Sequence, residues 1–170
     1  MKPKFTKNFL WLLMAAGLTL ATPCQSASTS RVDYVSDGDT LILDNGQKVR
    51  LIGVDTPEIH DDNHRNKAHA QHYNKNPAIV DEFALKAREF ASKSVLHQEV
   101  RLEYDWQRRD KFGRTLAYVY RQSDNLFLNS ELIKQGYGFA YTRFPFKYKE
   151  QFKSFETDAR RNRRGLWGSS

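Results

Sequence analysis

Cysteine is nearly absent. The 170-residue chain has one, Cys24, inside an N-terminal stretch that reads as removable. Without it the protein has no disulfide and no thiol chemistry. A long apolar run is also missing. The longest, Phe9 to Ala21 (FLWLLMAAGLTLA), is well short of the roughly 20 residues that a spanning helix needs. There is no internal repeat. Hydrophobic residues at 39% and charged residues at 28% exclude a disordered chain, and the length suits one domain. Charge of one sign is only in modest excess, 27 Lys+Arg against 20 Asp+Glu. Such a surplus suits a polyanionic partner but does not require one.

The N-terminus has the order of a secretory signal: basic MKPKFTK, the apolar run, then the small residues Ser26-Ala27-Ser28. Residues 1–27 are therefore expected to be a signal peptide, and residues 28–170 the working domain. An uncleaved membrane anchor is the alternative reading. Pro23 argues against lipid modification at Cys24, which calls for a small residue in that place. Cleavage would remove three lysines and no acid, lowering the net charge from +7 to about +4.

Along the rest of the chain, RVDYVS (31–36), LILD (41–44) and VRLIGV (49–54) read as three strands of an antiparallel meander. SDGDT and NGQ mark the turns between them. Residues 59–77 lack an apolar period and read as a long polar insertion. From Ala78 onward Ile79, Phe83, Ala87, Phe90 and Ala91 recur at helical spacing. EVRLEYD (99–105) and TLAYVYR (115–121) read as strands flanking the polar loop WQRRDKFGR. Leu126 to Gln135 and Tyr148 to Arg164 read as helices, with Leu166 and Trp167 packing back. Five strands with a helix after the third make an α+β domain, a five-stranded OB-fold Greek-key β-barrel with three helices.

Short acidic loops are usually solvated turns, so Asp37-Gly38-Asp39 and Asp55-Thr56-Pro57 carry little weight alone. The arginines change that. Arg50 lies inside an apolar run and needs a partner, because an unpaired buried charge costs several kcal/mol. Arg114 ends a charged loop just before a strand. If the three loops meet, carboxylates able to hold a hard cation would face guanidiniums able to grip a phosphate. A remaining carboxylate could then act on water, as a phosphodiesterase requires.

Four segments carry a resemblance: VSDGDTLIL (35–43), VRLIGVDTPE (49–58), RRDKFGRTLAYVY (108–120) and RRGLWG (163–168). Together they resemble the staphylococcal nuclease, or thermonuclease, family over roughly residues 31–168. The resemblance implies a Ca²⁺-dependent endonuclease that hydrolyses DNA and RNA, favours single-stranded or unpaired regions and leaves 3′-phosphate ends. It implies that Asp39, Asp55 and the Thr56 carbonyl hold Ca²⁺, and that Arg50 and Arg114 grip the scissile phosphate. Glu58 would act on the attacking water, with Asp37 tuning the site. Lys111 and Tyr141 would touch substrate. Phe112 stands where the family usually has tyrosine, and Arg143 where it tends to have a second one.

Four of the five histidines, His60, His64, His69 and His72, crowd the insertion. A transition-metal site is one reading; a hydrophilic loop beside the cleft is the plainer one, since no cysteine or carboxylate spacing completes a known pattern. Arg160, Arg161, Arg163 and Arg164 read as a solvated helix end. Two rivals compete with the enzyme: a non-catalytic OB-fold module that binds nucleic acid, and a secreted calcium-binding or adhesion domain. The joint presence of Asp39, Arg50, Asp55, Glu58 and Arg114 favours the enzyme. The expected setting is secreted or periplasmic, as a monomer with no stable membrane association after signal cleavage.

Overall fold

A computed structural model describes residues 29–59 and 65–168. The expected signal peptide lies outside the described residues, as do His60 and His64. Among the described residues, no helix is long and apolar enough to cross a membrane.

The elements are β1 (Thr29–Asp37), β2 (Thr40–Leu43), β3 (Lys48–Leu51), β4 (Val54–Asp55), α1 (Arg65–Tyr73), α2 (Pro77–Val95), β5 (Glu99–Glu103), β6 (Thr115–Arg121), α3 (Leu128–Lys134), β7 (Phe139–Ala140) and α4 (Lys149–Arg161). A 3₁₀ turn, Gly165–Trp167, follows. Five strands close a barrel in the order β1-β2-β3-β6-β5. The meander is antiparallel as expected, and β3 pairs in parallel with β6. Alternation sends Val32, Val35, Leu41, Leu43, Val49, Leu51, Val100, Leu102, Ala117 and Val119 into the core. Helix α2 lies against β1 and buries Ala91 and Val95 in that core. The Asn76 side chain caps its start by accepting from the Ala78 amide at 2.9 Å.

Three expectations need correction. VRLIGV is not one continuous strand. It breaks at Gly53, which adopts φ +73°. A Cβ there would meet the Phe146 ring at 2.6 Å, so both the turn and the close approach require glycine. The chain then starts β4, which leaves the barrel to pair with β7. Among the described residues there are four α-helices, not three, because half of the polar insertion folds as α1. Its inner face is Asn66, His69, Ala70 and Tyr73, a helical i, i+3, i+4, i+7 set. Two of those four are polar, so hydropathy shows no period. Lastly, α3 and α4 are shorter than their sequence pattern. Leu166 is fully buried and Trp167 packs on Tyr73, with ring centroids 4.4 Å apart, as expected.

The β3–β4 break is held by one buried amide. Asn129 of α3 donates to the carbonyls of Ile52 and Ala117 at 3.0 and 3.2 Å, and accepts from the Val119 amide at 2.9 Å. Asn129→Ala should therefore cost about 3 kcal/mol, since each buried group left unsatisfied costs about 1–3. Urea unfolding measures it, and a loss under about 1 kcal/mol would contradict the account.

Glu156 ties α4 to both β7 and α1. It accepts from the Ala140 amide at 2.8 Å, meets His72 at 3.2 Å and binds Arg160. Burial pushes its carboxyl up, but His72, the Ala140 amide and Arg160 outweigh burial and hold it below the usual range. A depressed folded value stabilises the protein above the ordinary carboxylate range and ceases to do so as pH falls through that depressed value. The stability difference between wild type and Glu156→Gln should thus be largest near neutral pH and vanish in acid. Urea midpoints across a pH series check the sign.

Candidate active site

The register of the first hairpin builds the site. Thr40 faces Arg50 across β2 and β3, and the Leu51 amide donates to the Asp39 carbonyl at 2.9 Å. Asp39 is thereby set beside the Arg50 side chain. The two form an ion pair between Arg50 Nη1 and Asp39 Oδ1, and Asp39 is fully buried. Arg50 Nη2 donates to Asp55 Oδ1 at 2.5 Å. Burial pulls the guanidinium below its usual range, and nearby Arg114 pulls the same way, while Asp55 opposes them. One arginine thus bridges two carboxylates, Asp39 from the β1–β2 turn and Asp55 from β4.

The second oxygen of each acid is also engaged. Asp39 Oδ2 accepts the Thr56 amide at 2.8 Å. Asp55 Oδ2 lies 3.1 Å from His69 Nε2. Burial would raise the Asp55 carboxyl, yet the His69 and Arg50 partners bring it below its ordinary value. Gly38 permits this packing, because a Cβ there would lie 2.8 Å from Ala87 Cβ and 2.9 Å from the Thr56 side chain.

Asp39 and Asp55, together with the Thr56 carbonyl, would supply an all-oxygen donor set of the type that suits a hard cation. The Thr56 hydroxyl is buried without a partner among the described residues. No three His, Cys, Asp or Glu side chains among the described residues cluster tightly enough to hold a metal alone, so such an ion would need main-chain and water oxygens as well. The donor set fits calcium in type. Of the described histidines, His69 and His72 do not form a transition-metal cluster there. His69 is buried against Asp55 and His72 stacks on Phe139, with centroids 4.0 Å apart.

Glu58 is nearly buried and pairs with Arg65. Burial raises its carboxyl above the usual range and the Asp37 charge adds to this, against Arg65. Arg114 stands across the cleft, held by its own loop. Its Nε donates to Asp110 Oδ2 at 2.6 Å and its amide to Asp110 Oδ1 at 3.0 Å. Asp110 also takes the Phe112 amide, and these bonds bring its carboxyl below the ordinary value despite burial.

Arg50, Asp55, Asp110 and Arg114 border a cleft of about 940 Å³ that Lys111 and Tyr141 also line, while Asp39, Thr56 and Glu58 lie buried behind it and are not among its lining residues. Arg143 lies over the Tyr141 ring at 5.8 Å. Of the remaining aromatic rim, sequence reasoning named Phe112, as a departure from the family, and missed Trp106 and Phe144. Trp106, Phe112 and Phe144 are 68%, 72% and 59% exposed, and all three line this cleft. It also missed Arg65, Asn66 and Asp110. The crowding of histidines is the one signal in the insertion, and its plainer reading is a hydrophilic loop. The basic run near the C-terminus is occupied: Arg160 with Glu156, and Arg161 and Arg164 with Asp158.

Similarity to known proteins agrees with this geometry. The chain is 35% identical over 159 residues to the thermonuclease of Staphylococcus hyicus, covering 91% of this chain and 82% of that one. It is 39% identical over 152 residues to an uncharacterized protein of Methanocaldococcus jannaschii, covering 82% and 72%. It is 33% identical over 145 residues to endonuclease YncB of Bacillus subtilis, covering 82% and 61%. Residues 48–169 match the family described as staphylococcal nuclease homologue. With a closed five-stranded barrel carrying Arg50, Asp55, Glu58 and Arg114 within the matched span, the chain belongs to the staphylococcal nuclease family.

Proposed function

We propose that this nuclease is a calcium-dependent endonuclease that hydrolyses DNA and RNA to 3′-phosphate ends. The observation that carries the reading is the Asp39–Arg50–Asp55 bridge facing Arg114 across one cleft. Asp39, Asp55 and the Thr56 carbonyl would hold the calcium ion, which when bound neutralises charge on the scissile phosphate. The side chains of Arg50 and Arg114 grip the phosphate oxygens, as guanidiniums do in bidentate pairs. Charge gathers on those oxygens in the transition state, so the two arginines bind it more tightly than the ground state. Glu58 accepts or orients the proton of the attacking water. Its raised carboxyl makes it a stronger base than an exposed glutamate. Water attacks phosphorus, the P–O5′ bond breaks, and the 5′ oxygen leaves as a hydroxyl after taking up a proton.

The rim of Trp106, Phe112, Tyr141 and Phe144 supports a preference for single-stranded or unpaired regions, where base faces are free to stack. Nothing in the set reads a base edge, which supports action on both DNA and RNA. The N-terminal sequence supports a secreted or periplasmic setting with no stable membrane association after signal cleavage. No second copy is needed to complete the cleft, in keeping with a monomer.

Turnover measured on a single-stranded oligonucleotide tests the roles. Arg114→Ala should lower kcat by about 10²–10³-fold, the scale of losing one transition-state donor. Arg50→Lys should lower it similarly with Asp39 and Asp55 still paired, because lysine keeps the charge and loses the fork. Glu58→Gln should lower kcat with calcium affinity within a few-fold of wild type. Near-wild-type turnover in Arg114→Ala would remove it from the site. Binding without cleavage by the wild-type protein would return the reading to a non-catalytic module.

A further inference from the structure

Helix α1, read from sequence as polar loop, points two buried side chains at the acids of the site. Asn66 and His69 are 3% and 4% exposed and sit one turn apart on the same face. Asn66 Oδ1 accepts from the Glu58 amide at 2.8 Å, and its Nδ2 donates to the Glu58 carbonyl at 2.7 Å. Nδ2 also donates to Asp81 Oδ1 at 2.7 Å, which fastens Asn66 to α2. His69 Nε2 meets the Asp55 oxygen that Arg50 leaves available.

This matters because Glu58 lies beyond the end of β4, in a segment with no strand partner. A buried peptide without a partner is unfavourable and poorly fixed. The Asn66 amide supplies both bonds that a neighbouring strand would supply. Asp55 stands on a two-residue strand at the barrel's margin, where only β7 pairs with it. Arg50 holds one carboxylate oxygen, and His69 holds the other, so the plane of the carboxylate is set from two sides. Since the carboxylate accepts, His69 carries its proton on Nε2. Its Nδ1 then keeps a lone pair with no partner among the described residues, which leaves no N–H unsatisfied.

We propose that Asn66 and His69 are positioning residues of this nuclease: Asn66 fixes the Glu58 main chain and His69 fixes the Asp55 carboxylate. The inference rests on the roles proposed above for Glu58 and Asp55. It makes the insertion a supporting wall of the active site, not an entry loop. A misplacement near 1 Å can cost on the order of 10²-fold in rate, so such support is worth having even where it touches no substrate.

The test is a pair of cycles on the purified protein, with thermal unfolding and calcium calorimetry beside steady-state kinetics. Asn66→Ala should lower kcat about tenfold or more, with KM and calcium affinity within twofold. In a Glu58→Gln background the same change should cost less than twofold, because Asn66 then has no catalytic carboxylate to place. His69→Phe should weaken calcium binding about tenfold, measured calorimetrically without substrate. His69→Gln, whose amide can donate to the same Asp55 oxygen, should restore most of it at an equal or lower melting temperature. Equal losses from Asn66→Ala in both backgrounds, or wild-type calcium affinity in His69→Phe, would overturn the proposal. If Asn66→Ala fails to fold, the His69 pair decides it. Wild-type turnover in Glu58→Gln together with wild-type calcium affinity in Asp55→Ala would instead sink the underlying assignment of the site, and the inference with it.

Discussion

A guanidinium in the wall of a small barrel cannot stand alone, and the structure is arranged around that fact. Arg50 occupies a β3 position whose neighbours Val49 and Leu51 are core residues. Leaving its charge unpaired would cost several kcal/mol, so two carboxylates converge on it. One, Asp39, arrives because the β1–β2 turn is set in register against β3. The other, Asp55, arrives because Gly53 lets the chain turn back within five residues of the arginine. Hairpin register and strand break thus bring two carboxylates onto one part-buried charge. Two carboxylates around one cation also keep a net negative charge, which is what a second, diffusible cation would be drawn to.

The supports are layered outward from that bridge. Asn129 holds the break after Ile52, and α3 holds Asn129. Gly38 lets Thr56 and α2 close on the acidic turn. Helix α1 then covers the acids from the far side, pinned to α4 through His72, Glu156 and Arg160. Arg114 stands on a loop, and Asp110 braces it through both its side chain and its amide. Many exposed groups of the cleft are aromatic or cationic, while Arg50 and Asp55 are part-buried and Asp39 and Glu58 are buried. A phosphate chain can therefore run along the rim while one phosphate reaches the interior.

Much of this was legible in the residues, and the gaps have physical causes. Alternation found all five barrel strands, because each has one apolar face. It ran β3 into β4, because a glycine inside VRLIGV is tolerable in a strand and nothing local signals its positive φ. Helix α1 was hidden by chemistry: its inward face carries an asparagine and a histidine, which satisfy buried partners instead of burying apolar area. Strand β7 spans two residues, too few for a period. Asp39, Arg50, Asp55, Glu58 and Arg114 could be named from their motifs, but not the bridge, since convergence of distant loops is a property of topology. Asp110 went unnoticed for a similar reason. An i, i+4 acid and arginine suggest a helix pair, and here they close a loop.

The central claim is that this oxygen-rich, arginine-flanked cleft breaks phosphodiester bonds with calcium. The most direct measurement incubates the wild-type protein with an end-labelled single-stranded DNA, in calcium and in excess chelator, and identifies the product termini. The account predicts cleavage in calcium alone, with 3′-phosphate and 5′-hydroxyl ends. Cleavage undiminished by chelator, or products ending in 3′-hydroxyl and 5′-phosphate, would contradict it.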